Sequence, residues 1–248
     1  MATLFEYFDR VEIIHLPERS DRFLALSKEL ARSGYDINRA SIPHAPKPDD
    51  TFGFSSLGVH GNFLSHLDII TRAKDGGAAS VLVLEDDAIF SRRFRRRQLA
   101  VADQLAKVPW DILYIGHSLQ GGTSTRVTAD LARFTGDLLW AHCYAINRSV
   151  MDRLAEYLVY TLHAPPGDPT GGKMYIDAAL TLFRRQNPDV VCLVTDPCLS
   201  VQKGSQSNLG KGKSWVGKNI PQALSLARAV RDECWRYGVV DISAKEKR

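Results

Sequence analysis

The chain has 248 residues, 44% of them apolar and 24% charged, with a formal net charge of +4. These values match a soluble globular protein long enough for the core of one α/β domain. They come with no internal repeat and no long low-complexity tract, and no apolar run approaches the ~20 residues of a membrane-spanning helix. Residues 1–10 carry Glu6 and Asp9 and lack the apolar core and small-residue cleavage site of a signal peptide, so the expected location is the cytoplasm. Cys143, Cys192, Cys198 and Cys234 form no Cys-x-x-Cys pair and complete no zinc pattern with the histidines. They read as buried free thiols in a reducing compartment.

Residues 11–16 (VEIIHL) are short and mostly apolar, as in a buried strand. A helix is predicted from about Ser20, with Phe23, Leu26 and Leu30 on one face and Gly34 as its stop. Residues 35–42 read as a second strand, after which Pro43, Pro46 and Pro48 force a loop. Val59, Phe63, Leu67 and Ile70 recur at helical spacing, and that helix ends near Asp75-Gly76-Gly77. Residues 81–84 (VLVL) form a wholly apolar strand, an arginine-rich helix runs on to Pro109, and residues 111–115 (DILYI) make the next strand. Residues 138–146 are predicted to cross the core. A helix carries Val150, Leu154 and Leu158; a Pro/Gly loop at 165–172 separates it from another carrying Ile176, Leu180 and Phe183. Residues 190–194 and 199–202 read as late strands, 203–218 as a mobile Gly/Ser/Lys-rich stretch, and 221–236 as a last helix. Strands alternating with helices predict a mainly parallel sheet covered on both faces, in a single domain over residues 1–236 with a charged tail at 237–248. In such sheets ligands sit beyond the carboxyl ends of the strands.

That rule singles out VLVLEDDAIF, where four apolar residues run straight into Glu85, Asp86 and Asp87. Three adjacent carboxylates repel one another, and the apolar strand offers nothing to compensate them. A divalent cation would, and Mg²⁺ or Mn²⁺ favours one or two carboxylates together with substrate phosphates. The competing reading is a solvated acidic turn that caps the following helix. Arg92, Arg93, Arg95, Arg96 and Arg97 crowd one stretch, either as a solvated helix face or as a patch for anionic lipid, which would put the protein at the inner membrane surface. Without interleaved aromatics or a DNA-binding motif the patch does not point to nucleic acid. Residues 204–214 (GSQSNLGKGKS) miss the phosphate-loop motif in spacing and final residue. They read better as a basic flap that would exclude water from a diphosphate.

Several blocks then occur in a characteristic order: IIHLPERSDRF with Arg19 and Arg22, GVHGNFLSHL with Gly58, Gly61, Ser65 and His66, VLVLEDDAIF, AHCYAINRSVMDRL with Tyr144, Asn147 and Arg148, YIDAAL with Asp177, and CLSVQKGSQSNL with Gln202 and Ser207, just after Pro197. In these blocks the chain resembles glycosyltransferase family 25, whose bacterial members build lipooligosaccharide and whose animal relatives galactosylate collagen. The resemblance covers about residues 11–208. It departs from the family's pattern at His15 and Pro17, where Asn and Asp are usual, and at Val59 and Asn62, where Glu and Cys are usual.

The resemblance implies a GT-A, Rossmann-like fold and an inverting, Mn²⁺- or Mg²⁺-dependent hexosyltransferase. Its donor would be a nucleotide sugar, UDP-linked and commonly galactose, and its acceptor a glycan or a lipid-linked, lipopolysaccharide-type precursor. It implies Asp87, with Glu85, as metal ligands, and Glu85 and Asp86 as contacts to the donor. Arg19 and Arg22 would hold nucleotide or phosphates, where forked guanidinium donors suit phosphate; pairing with Glu18 and Asp21 is their ordinary alternative. Ser65, His66 and Gln202 would contact the donor, with His66 also a candidate for catalysis beside the apolar stripe of its helix. Single-displacement inversion needs a base for the acceptor hydroxyl, and Asp177 is the candidate, against a donor-sugar contact or plain helix capping. His142 and Tyr144 read more simply as core residues. Two other functions compete: a nucleotidyltransferase, which would want a Gly-rich loop where HLPERSDR has no glycine, and a degenerate domain that binds without turnover.

Overall fold

The computed structural model describes residues 3–165 and 168–203. The expected Gly/Ser/Lys-rich stretch, the last helix, the charged tail and Cys234 lie outside the described residues. In chain order the elements are α1 (Leu4–Tyr7), β1 (Arg10–Ile14), α2 (Ser20–Arg32), α3 (Leu57–Asp75), β2 (Ser80–Glu85), β3 (Ala88–Phe90), α4 (Arg92–Leu105), β4 (Ile112–Tyr114), β5 (Ser118–Gln120), β6 (Ser124–Arg126), β7 (Leu131–Phe134), β8 (Asp137–Leu139), β9 (Cys143–Asn147), α5 (Arg148–His163), α6 (Ile176–Gln186), β10 (Cys192–Thr195) and β11 (Ser200–Gln202).

Seven strands form the central sheet in the order β1-β2-β9-β4-β10-β7-β6. The ladders β1/β2 and β4/β10 are parallel and the rest antiparallel. Five strands therefore run one way, with β9 and β7 reversed among them. The reversal of β9 matters for function, because it sets the start of β9 beside the carboxyl ends of β1, β2 and β4.

Side chains alternate across this sheet as strand geometry requires. Val81 and Val83 of β2 face one core with Phe63, Ile70, Leu154, Leu180 and Phe183, from α3, α5 and α6. Leu82 and Leu84 face the other, with Phe5, Leu26, Leu30, Phe94 and Val101, from α1, α2 and α4. A strand buried on both faces reads as a continuous apolar run, which is why VLVL was legible. Side-chain caps start two of the helices beside the site: Ser56 accepts from Val59 N–H at 3.2 Å for α3 and Ser91 from Phe94 N–H at 3.0 Å for α4. Gly34, at φ 79, ends α2 as expected.

Two expected elements differ. Residues 35–42 are not a strand. Asp36 accepts from Asn38 N–H at 3.0 Å and closes a short 3₁₀ turn at Ile37–Arg39, so only Ser41 bridges to β1. Residues 138–146 do not cross the core as one piece. Trp140 sits at φ 72, in the left-handed region, and splits them into β8, in a separate two-stranded sheet with β5, and β9 at the centre.

Phe94 is fully buried, with ring centroids 4.5 Å from Phe90 and 5.3 Å from Phe5. Phe94→Ala should cost about 3–5 kcal/mol, read in urea unfolding as a lower midpoint with an unchanged slope.

Candidate functional site

β2 delivers the acidic cluster to the edge of the sheet where β1 and β4 also end and β9 begins. Its backbone is pinned there: Glu85 N–H donates to the His142 carbonyl at 2.8 Å, Asp86 N–H to the Ile14 carbonyl at 3.1 Å, and the Asp87 carbonyl accepts from Lys203 N–H at 2.7 Å. Ala88–Phe90 then pairs with Ser200–Gln202 in a two-stranded sheet. The cluster is thus a tight turn between strands. It is not a solvated cap, since no helix begins until Arg92 and Asp86 is 7% exposed.

Each carboxylate has a different set of partners. Glu85 Oε1 accepts from Asn62 Nδ2 at 3.0 Å and lies 3.2 Å from His66 Nε2, and Oε2 accepts from Gln202 Nε2 at 3.2 Å. Asp86 Oδ2 meets His15 Nδ1 at 2.8 Å and Oδ1 accepts from Arg22 at 3.2 Å. Arg22 also reaches Asp87 Oδ2 at 3.3 Å, while Asp87 Oδ1 is buried with no hydrogen-bond partner. These surroundings separate the titrations. Burial opposes ionisation of Glu85, yet His66 and Asn62 hold it well below the usual carboxylate range. Burial, then the charges of Glu85 and Asp86, push Asp87 up to about 7, against the opposing pull of Arg22 and of its own backbone N–H.

The other expected residues divide. His66 and Gln202 join the cluster through Glu85, and Arg22 through Asp86 and Asp87. His66 is fully buried between Glu85 and Tyr144, whose hydroxyl is 2.8 Å from Nδ1, and so lies inside the packed face of α3. Ser65 is also buried, and its hydroxyl donates to the Gly61 carbonyl at 2.8 Å within its own helix. Arg19 follows its ordinary alternative and pairs with Asp21 at 3.0 Å. Asp177, in the first turn of α6, accepts from Trp140 N–H at 3.3 Å. Trp140 in turn packs on Ile89 and Val201, in the two strands that flank Asp87. Asp177 therefore stands across one tryptophan from the acidic turn. His142 is fully buried, and burial lowers it to about 4. Of the arginine cluster, Arg97 is bound to Asp130 at 2.6 Å and Arg95 to the Phe90 carbonyl at 3.2 Å, so the fold itself uses two of the five.

Glu85 is the other expected metal ligand. Protein donors engage both of its oxygens, which makes it an anchor for α3 and β11. Asp87, with an orphaned buried oxygen, does fit a cation. Among the described residues no group of three or more His, Cys, Asp or Glu is disposed to hold a metal ion, so most ligands there would have to be substrate phosphate and water. Two residues that the sequence reading passed over belong to the site: His15 and Asn62. A usable signal existed for Asn62. It precedes His66 by four residues, which puts both on one helix face, aimed at one carboxylate.

No family model matches the chain. It is 33% identical over 129 residues to the human "Inactive glycosyltransferase 25 family member 3", covering 44% of this chain and 22% of that protein. It is 24% identical over 204 residues to the mouse "Procollagen galactosyltransferase 2", covering 73% of this chain and 31% of that protein. Its curated relatives are members of glycosyltransferase family 25. The chain spans less than a third of the length of either relative. Its fold matches the crystal structure of a glycosyltransferase involved in glycosylation of the PBCV-1 major capsid, at TM-score 0.50 and 12% identity over 90% of this chain and 97% of that one. The fold is therefore of the GT-A-like α/β kind.

The ordinary carboxyl value of Asp87 is 3.8 and its value in the fold about 7. Between these, the folded protein holds a proton that the unfolded chain has lost. The group's stabilising contribution is complete below about pH 4 and disappears as pH rises through about 7. Asp87→Asn should therefore raise the melting temperature of the cation-free protein by about 2–4 °C at pH 8 and leave it nearly unchanged at pH 4, measured by calorimetry.

Proposed function

We propose that the chain is a glycosyltransferase domain that moves a sugar from a nucleotide-diphosphate donor, UDP-linked by the family resemblance, to a glycan or lipid-linked acceptor in the cytoplasm. One observation carries this reading: Asp87 Oδ1, buried and unpartnered at the carboxyl end of a central strand. Native proteins rarely leave such an oxygen without a partner, and an anion flanked by two further carboxylates favours a cation.

A divalent cation held at Asp87 would supply charge neutralisation to the departing nucleoside diphosphate. The remaining work falls to the chain's own residues. Arg22, already beside Asp86 and Asp87, would bind phosphate oxygens. Glu85, fixed by Asn62, His66 and Gln202, holds α3 and β11 against the turn, so that Asp87 stays aimed. In the inverting step the acceptor oxygen attacks the sugar C1, the bond from C1 to the diphosphate oxygen breaks, and the acceptor proton passes to Asp177. Trp140 fixes the placement of that carboxylate through its N–H and would help keep water from the donor.

A second reading has its own support. Both oxygens of Glu85 and of Asp86 are engaged by protein groups, and Arg22 leans on Asp87 where a cation would lie. That arrangement suits a domain that binds a nucleotide without turnover. Thermal stabilisation by UDP-galactose with and without Mn²⁺, followed by assay of released UDP, separates the two. The transferase reading expects Mn²⁺-dependent stabilisation and slow hydrolysis, both lost in Asp87→Ala. Stabilisation that ignores Mn²⁺, with no UDP released, supports the binding domain. Once an acceptor is in hand, Asp177→Asn should lower transfer by about 10²–10⁴-fold while leaving Mn²⁺–UDP affinity within about twofold; equal loss of both would remove Asp177 from the role of base.

A further inference from the structure

We propose that a cavity at the amino end of β1, away from the acidic turn, is a second ligand site that takes a small phosphate-bearing anion, with Arg10 as its principal contact. The inference goes beyond the proposed sugar transfer and does not rest on it.

β1 is an outer strand of the central sheet. Ser41 covers only its middle: Ser41 N–H donates to the Val11 carbonyl and Ile13 N–H to the Ser41 carbonyl, both at 2.9 Å. Before Ser41 the chain is coiled in the 3₁₀ turn at Ile37–Arg39 and does not follow the strand. Beside the start of β1 lies a cavity of about 310 Å³, walled by Arg10, Glu12, Arg39, Ser41 and Arg72 over the buried side chains of Phe5, Phe8, Val11 and Tyr35. That volume is at the lower end of the range for small-molecule sites. Arg10 opens β1 and Ile14 closes it, so the length of the strand, about 13 Å at the rise of an extended chain, separates this cavity from the acidic turn.

The hydrogen-bonding groups of the wall select the ligand. Its acceptors are spent. Glu12 takes Arg72 Nη2 on both oxygens, at 3.1 and 3.0 Å. Glu6 accepts from Arg39 Nη1 at 2.9 Å on one oxygen and from Thr3 N–H at 2.9 Å on the other. Asp9 accepts from Ala79 N–H at 3.0 Å, on the side of β2. Donors remain. Arg10 has no carboxylate partner among the described residues, and its Nη1 makes one long bond, to the Arg72 carbonyl at 3.4 Å. A guanidinium carries five N–H donors, so most of those on Arg10 are open. Arg39 engages Glu6 through Nη1 alone. Val11 N–H, on the outer edge of β1, has no partner among the described residues. A wall with its carboxylates already paired and its donors in surplus selects an acceptor-rich anion, and forked guanidinium donors match phosphate. Gly76 supports the same assignment. Its φ of −78 is open to any residue, yet a Cβ there would lie 2.3 Å from Arg10 Nη2. The glycine makes room for the guanidinium at the place where it meets the last turn of α3.

Calorimetric titration of the cation-free full chain with inorganic phosphate, pyrophosphate and glucose 1-phosphate, at constant ionic strength, tests this. The wild type should bind at least one of the three. Arg10→Met should weaken that binding about 10–100-fold, the size expected when charged hydrogen bonds are removed, and Gly76→Ala should weaken it with the charge still present. Arg22→Met, at the acidic turn, should change it by less than about twofold. Arg10 makes a single long hydrogen bond, so its variant should melt within about 2 °C of the wild type; were it not to fold, Gly76→Ala carries the test. Inorganic phosphate binding as tightly as the other two identifies the free ion as the ligand, and tighter binding of glucose 1-phosphate or pyrophosphate identifies an ester or a diphosphate. A wild type that binds none of the three overturns the proposal. So does binding that Arg22→Met abolishes and Arg10→Met leaves intact, which would put the anion at the acidic turn.

Discussion

Glu85, Asp86 and Asp87 stand in a row at the end of a strand with both faces in hydrophobic core. Their repulsion cannot be relieved by solvent, because the turn that carries them is itself mostly buried, nor by sliding along the strand, because backbone hydrogen bonds to Ile14, His142 and Lys203 fix it. The protein answers by giving each carboxylate to a different part of the fold. Glu85 goes to α3 and β11, Asp86 to the end of β1 and the start of α2, and Asp87 is left with a share of Arg22. Much of the rest of the site follows from that division. It explains why a histidine is buried in α3, why Gln202 closes the last described strand, and why one carboxyl oxygen out of six faces nothing.

The same division sets the roles. A carboxylate ringed by donors is a clamp, and Glu85 holds two elements to the sheet edge. A carboxylate bridged by histidine and arginine is a fixed reference charge, and Asp86 orients both. Only Asp87 keeps capacity for something outside the chain. Arg22 connects the two latter groups, so an anionic ligand that draws on Arg22 also changes what Asp87 needs. On the proposed reading, this would couple phosphate binding at Arg22 to cation binding at Asp87.

The parts of this arrangement differ in how far they can be read from sequence. β2 and its acidic end are plain, because a doubly buried strand must be a continuous apolar run and the charged residues that follow must sit at its end. The helices of α2, α3, α5 and α6 show in their spacing. Residues 35–42 mislead, since their apolar content suggests a strand while Asp36 caps a local turn. Residues 138–146 mislead because the break is made by Trp140, a residue with no local turn signal, through a hydrogen bond to a helix 37 residues away. Position on α3 is the subtler case. Ser65 and His66 look peripheral to a stripe drawn through Val59, Phe63, Leu67 and Ile70, but α3 packs on α5 and the sheet together, so more than one stripe is buried. His15 and Asn62, read against a family pattern, look like losses. In the structure they contact Asp86 and Glu85 and so help to hold the acidic turn.

The central claim is that Asp87 supplies the open ligand position of a cation that grips a diphosphate. Crystals grown with Mn²⁺ and UDP, with diffraction recorded at the manganese absorption edge, test it most directly. The account predicts a single anomalous peak within about 2.2 Å of Asp87 Oδ1, shared with phosphate oxygens, and Glu85 still bound to Asn62, His66 and Gln202. Bound UDP with no peak at Asp87, and Arg22 still closed across Asp86 and Asp87, would contradict it.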